Sequence, residues 1–130
     1  MHQRRHLIFL AALFVFAGVM HFVIPAAYVA ITPAWVRWRF QAVYLSGIAE
    51  IAGGIGLLVP SLRKAAAIGL IALLVAVFPA NVQMLSTAVT TDAPGLYQAI
   101  LFLRLPLQPL LIAWIYRVAV RSQPVASTIR

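Results

Sequence analysis

The chain has 130 residues, of which 64% are hydrophobic and 9% charged, with two acids and no cysteine. So few charges cannot coat a water-facing domain, where they make up about a quarter of residues. Lack of cysteine excludes disulfides, cysteine-held zinc, iron–sulfur clusters and any dithiol chemistry carried by this chain itself. The net charge of +8 is no nucleic-acid signature, because the basic residues are few and sit mainly at the ends of apolar runs, where they anchor in lipid headgroups.

Length allows one domain, 1–130, and no repeat or linker divides it. Four apolar runs predict helices over 7–23, 41–59, 65–84 and 96–120, each near the roughly 20 residues that a membrane span needs. Arg4 and Arg5 followed by the first run also fit a signal peptide. No small-x-small cleavage site follows the run, and polar His21 lies where cleavage would fall, so the segment reads as a retained span. Pro25, Pro33 and Trp35 break up the first connection, Pro60-Ser61-Leu62 makes a tight second turn, and a polar third connection closes on Pro94-Gly95. After Arg121 a short polar tail is expected to be disordered. Strands are a poor alternative, because period-2 alternation is absent.

The expected fold is therefore all-α, an integral membrane four-helix bundle. Arg4, Arg5, Arg63, Lys64, Arg117, Arg121 and Arg130 fall on one side and Arg37 and Arg39 on the other; seven cations against two places both termini in the cytoplasm.

The polar residues inside the runs are the candidate site. Glu50 is one of the two acids and lies in the middle of the second run, and Arg104 lies early in the fourth. Buried charges are costly in lipid and rarely face it, so the simplest expectation is that each is the other's partner. At about 1.5 Å per residue, Glu50 lies roughly 13 Å along its helix from Gln41 and Arg104 roughly 12 Å along its own from Leu96. His21 and Asn81 fall in the same half, and Gln108 lies one turn beyond Arg104 on the same face. Ser46, Gly47, Gly53 and Gly54 flank Glu50, and Ala65, Gly69, Ala72 and Ala76 offer a groove on the third helix, so close packing of helices one to three around the carboxylate is expected. Pro79, Pro106 and Pro109 are expected to bend helices three and four.

These features have two readings. In one, Glu50 and Arg104 are a structural ion pair. In the other, His21, Glu50, Asn81, Arg104 and Gln108 form a polar pocket, with Glu50 taking up a proton as a quinone is reduced and Arg104 holding an anionic or carbonyl oxygen. His21 is expected to hydrogen-bond Glu50 or Asn81, and Asn81 to bond a neighbouring helix near Pro79. Tyr28, Trp35 and Trp38 read as an interfacial belt or as a lid over the pocket. Trp114, Tyr116, Arg117 and Arg121 read as anchors on the cytoplasmic side. One span histidine and no usual ligand set argue against haem or a metal.

The chain resembles the DoxX family of small four-helix membrane proteins. Gly18-x-x-His21-Phe22 with Pro25 and Tyr28 carries the resemblance, followed by Tyr44-Leu45-Ser46-Gly47-x-x-Glu50 and Gly53-x-x-Gly56-Leu57-Leu58-x-Pro60. It continues through Gly69-Leu70, Val77-Phe78-Pro79-Ala80-Asn81 and Arg104-Leu105-Pro106-Leu107-Gln108, covering about 14–117. The resemblance implies a multi-pass protein of the bacterial inner membrane. It implies a non-catalytic accessory subunit of a redox, oxidative-stress or thiol-stress system, with a soluble redox or sulfur enzyme as partner and quinone as a candidate ligand. It transfers no catalytic residue. The alternatives are a membrane-protein assembly factor or scaffold and, more weakly, a transporter, which with four helices would need to form a homo-oligomer.

Overall fold

A computed structural model describes residues 1–122 of the chain. Arg130 and the tail expected to be disordered beyond Ser122 lie outside the described residues. Five helices run in order: α1 (His2–Val23), the short α2 (Pro25–Ile31), α3 (Arg39–Leu58), α4 (Arg63–Thr90) and α5 (Gly95–Ile115), which continues as a π turn (Tyr116–Arg121). No strand occurs among the described residues. Four of the helices are long and apolar enough to cross a membrane.

The helices begin and end where local chemistry directs. Pro25 opens α2, where its missing N–H is no loss, and the Thr32 hydroxyl donates to the Tyr28 carbonyl at its far end. The Arg63 Nε donates to the Leu57 carbonyl at 2.9 Å, placing a cation on the carbonyl end of α3. α4 runs six residues past the expected end at Met84, through Ser86 and Thr87 to Thr90. Hydroxyls of Thr90 and Thr91 donate to the Thr87 carbonyl there. Backbone hydrogen bonding thus prevails over side-chain polarity. α4 and α5 remain helical through Pro79, Pro106 and Pro109.

α3 is the hub. It packs principally on α1 and also on α4, while α5 packs on α4. α2 lies across α1, α3 and α4 like a cap on the loop end, meaning the end with the 24–38 and 91–94 connections. At the opposite, terminal end the π turn meets α1 and α4. The core is concentrated in the terminal half, where Leu7, Leu10, Phe14, Leu57, Ala67, Leu70, Leu74, Ile115 and Ala119 form one cluster. Truncating a fully buried member such as Leu10 or Leu57 to alanine would leave a cavity costing about 2–5 kcal/mol.

Glycines allow the hub to form. A Cβ on Gly18 would sit 2.6 Å from the Gly47 carbonyl oxygen, and one on Gly47 would sit 2.8 Å from the His21 Cβ. The α1 and α3 backbones therefore touch, as the small residues around Glu50 suggest. The expected groove on the third long helix is a correction. Ala65, Gly69, Ala72 and Ala76 are exposed, and nothing lies within 4 Å of a Cβ on Gly69. Ala66, Ala67, Leu70 and Leu74 face the interior instead, with Gly56 of α3 against Ala66 and Gly53 against Leu70. A helix apolar on every side carries no amphipathic phase, so spacing alone cannot say which face turns inward.

Gly18→Ala is expected to lower the stability of the purified protein by about 1–3 kcal/mol, because backbone rather than a flexible side chain must yield. Gly69→Ala is expected to be neutral or stabilising by up to about 1 kcal/mol. Thermal unfolding of the two variants checks the contrast, and equal effects would refute this packing.

Candidate functional site

The last turn of α1 brings His21 against α3. Its Nδ1 lies 2.8 Å from the Ala17 carbonyl oxygen and 3.3 Å from Glu50 Oε2. A carbonyl only accepts, so this hydrogen bond requires the proton on Nδ1. The imidazole is thereby directed along its own helix and gives the carboxylate a close neighbour without a hydrogen bond. Glu50 Oε2 is buried and has no hydrogen-bond partner, and it is the only side-chain atom in that condition among the described residues. Buried polar atoms are normally satisfied, so this one asks for a reason. The expected hydrogen bond from His21 to Glu50 or Asn81 is thus replaced by one to Ala17, because the backbone acceptor one turn back is nearer.

Tyr28 closes the top of the cluster. Its ring stacks on that of His21, with centroids 3.9 Å apart and planes 19° from parallel. Burial pushes the phenol above its ordinary value of 10.0, the Glu50 carboxylate pushes it the same way, and the Arg104 guanidinium opposes both. Phenol, carboxylate and guanidinium therefore share one electrostatic neighbourhood. Of the three lid candidates, Tyr28 is the one on the cluster. Trp35 and Trp38 are exposed on the connection to α3.

Arg104 corrects the expected ion pair. It lies beyond 4.0 Å from the Glu50 carboxylate, its side chain is exposed, and its Nη1 donates to Met84 Sδ at 3.8 Å. Similar depth along two helices does not make them neighbours. α3 lies against α1 and α4, and α5 lies against α4. The two opposite charges lie within electrostatic reach of the same Tyr28 phenol without forming an ion pair with each other.

Gln108 and Asn81 belong to a different arrangement. The buried Gln108 carboxamide donates to the Leu74 carbonyl, next to the Val75 carbonyl from which Pro79 removes its usual donor. In turn its Oε1 accepts from Asn81 Nδ2 at 2.5 Å. This clamp joins α4 to α5, so Asn81 does bond a neighbouring helix near Pro79. The five pocket candidates thus divide: His21 and Glu50 touch, Arg104 stands exposed against Met84, and Asn81 and Gln108 join helices. No three His, Cys, Asp or Glu side chains cluster for a metal among the described residues.

Sequence reasoning treated the terminal-end residues only as anchors. There Gln3 and His6 of α1 meet Trp114, Arg117 and Arg121 around a groove of about 820 Å³. The Arg117/Arg121 spacing one turn after Trp114 was the available signal.

A family model for a domain of unknown function, DUF8561, matches residues 10–119. The chain belongs to that family. The resemblance to DoxX is thereby overturned, since the matching model is a different one and no DoxX match accompanies it. No curated protein and no solved structure matches the chain. Most residues behind the DoxX resemblance are glycines, prolines, aromatics and leucines, which close helix packing in a membrane favours in any small bundle, and the few polar ones among them, His21, Glu50, Asn81, Arg104 and Gln108, do not suffice to name a family. The oxidative-stress role came with that resemblance and has no support here. Membership in DUF8561 itself assigns no activity.

Two outcomes follow from this geometry. Gln108→Leu alone is expected to cost about 1–3 kcal/mol, because it strands Asn81, while adding Asn81→Leu recovers part of the loss. A double-mutant cycle by thermal unfolding reads the coupling, and strict additivity would show that the clamp does not couple the helices. The raised Tyr28 pKa means that the fold favours the protonated phenol. Its contribution is fully present below pH 10.0 and is lost as pH rises through the folded value. In an ultraviolet titration, Tyr28→Phe should remove a tyrosine that ionises above 10.0; loss of a component ionising at or below that value would contradict the burial described.

Proposed function

We propose that this chain is a four-span membrane protein with both termini on the cytoplasmic side, and that the polar cluster around Glu50 binds the polar head of an amphipathic molecule. Only 17 to 33% of the most apolar window of each long helix is buried within the protein, so lipid is the natural cover for the rest. Among the described residues, Arg4, Arg5, Arg63, Lys64, Arg117 and Arg121 cluster at the terminal end, against Arg37 and Arg39 at the loop end, which orients the bundle. The bacterial inner membrane and a soluble redox or sulfur-enzyme partner were implications of the DoxX resemblance and are not carried forward.

One observation carries the binding reading: Glu50 Oε2 is a buried acceptor without a hydrogen-bond donor, while Arg104, which pairs with no carboxylate among the described residues, acts on the same Tyr28 phenol. The near neighbour of Glu50, the His21 imidazole at 3.3 Å, gives its Nδ1 proton to Ala17, and an ionisable group held inside a span without a hydrogen bond marks a functional position. A head group that donates to Glu50 and accepts from Arg104 satisfies both. A quinol has that polarity: one ring hydroxyl donates, the oxygen of the opposite hydroxyl accepts, and an apolar tail is accommodated by lipid. Tyr28 and His21 supply a stacked aromatic wall beside the carboxylate. The scaffold alternative in its original form needed a Glu50–Arg104 structural pair, and those side chains do not meet.

Decylubiquinol binding to the purified full chain in mild detergent tests this reading. Wild type is expected to bind and to unfold at a higher temperature with the ligand. Glu50→Gln is expected to weaken binding about ten- to hundredfold, the equivalent of a hydrogen bond to a charged group, while its ligand-free unfolding temperature stays close to wild type. Equal affinity for wild type and Glu50→Gln, or no binding to wild type, would defeat it.

A further inference from the structure

The terminal-end groove has a chemistry that the polar cluster around Glu50 does not use. It holds about 820 Å³, within the range of small-molecule sites. Its wall is the end of α5 and the π turn, and its rim is the start of α1. Arg117 and Arg121, four residues apart on a turn that closes from i to i+5, both line it, so their guanidiniums flank one opening. His6 stands edge-on to Trp114 at 5.6 Å and 87°, forming the floor.

The polar groups that could compete for the arginines are already engaged. Gln3 Nε2 donates to the Val118 carbonyl at 2.9 Å, and the Ser122 hydroxyl donates to the Arg117 carbonyl at 2.6 Å. The chain's only side-chain carboxylates are Glu50, in the middle of α3, and Asp92, on the loop-end connection. Among the described residues no carboxylate pairs with Arg117 or Arg121, which leaves both open to an anionic ligand.

Below the arginines the surface turns apolar. Leu103, Leu107 and Leu110 are 58 to 64% exposed and spaced i, i+4, i+7, a stripe of α5 that leads from the groove toward the middle of the span. Phe9 of α1 lies beside the same Trp114 at 5.6 Å. A paired guanidinium rim above an acyl-sized apolar stripe complements a molecule with an anionic head and a hydrocarbon tail.

We infer that this groove is a specific site for an anionic glycerophospholipid, with its phosphate held between Arg117 and Arg121 and an acyl chain lying along Leu110, Leu107 and Leu103. The inference rests on the membrane-spanning reading but is independent of the polar cluster around Glu50. Zwitterionic lipid offers the same phosphate together with an ammonium that the arginines repel, so net negative charge is the selective feature. The π turn widens the end of α5 and brings both arginines to the opening.

The test uses the full chain, delipidated in mild detergent, with phosphatidylglycerol, phosphatidylcholine or inorganic phosphate added separately and retention read by native mass spectrometry and thermal shift. Phosphatidylglycerol is expected to be retained and to stabilise wild type over phosphatidylcholine. At about 1 kcal/mol per arginine, affinity should fall roughly fivefold for Arg117→Gln or Arg121→Gln and roughly thirtyfold for the double variant. Both side chains are exposed, so the variants should fold, which circular dichroism confirms; Arg37→Gln/Arg39→Gln at the loop end should keep the preference. Equal retention of the two lipids, equal stabilisation by inorganic phosphate alone, or an equal loss in the loop-end variant would each overturn the site. Alkaline extraction of membranes tests insertion separately: release of the chain would remove the membrane-spanning reading, whereas retention with no lipid preference would remove only this inference.

Discussion

The contact between the α1 and α3 backbones is the constraint from which the rest of the arrangement follows. At Gly18 and Gly47 there is no room for a single additional carbon, and the next turn of α1 places His21 directly against the helix that carries Glu50. Without a hydrophobic force between helices in lipid, such close approach and its dispersion contacts are what hold two spans together. Its consequence for the site is geometric. α1 occupies the face of α3 that an arginine from α5 would have needed, and the carboxylate is left beside an imidazole already bonded to its own backbone.

The bundle consequently divides into halves with different tasks. The terminal half is filled by leucine, isoleucine, alanine and phenylalanine and carries the packing. His21 stacks on Tyr28 of α2 at the loop end, with Glu50 beside it in the middle of α3. The clamp of Asn81 and Gln108 lies between, satisfying a carbonyl beside the Pro79 break and joining α4 to α5 across a region where leucine packing would give less directional hold. A protein with two acids in all places one of them where no described residue donates a hydrogen bond to it, and that choice is the reason to look for a ligand there.

The family result also carries a physical lesson. Small residues at close contacts, prolines near helix ends and aromatic residues at both rims are demands of the bilayer on any short helical bundle. Matching them one by one produced an ordered resemblance to DoxX across nearly the whole chain, yet the matching family is DUF8561. Motifs set by the solvent report the solvent, whereas those set by chemistry would need side chains that a bundle does not otherwise require.

Read alone, the sequence determined four apolar helices and their approximate limits, because the length and composition of an apolar run depend on one segment at a time. It also indicated that Gly47, Glu50 and Gly54 share a close-packed face and that Asn81 bonds across helices, since glycines around a charge and an amide beside a proline have few other uses. Which helices are neighbours was left to the tertiary structure, and with it the partners of Glu50 and Arg104. The inward face of α4 was decided there too, through Ala66 and Leu70 in place of Ala65 and Gly69. The reason is the same in both cases: depth along a helix can be counted in residues, but rotation about its axis and the order of helices around the bundle depend on contacts among segments distant in sequence, and uniformly apolar surfaces record no preference for one side.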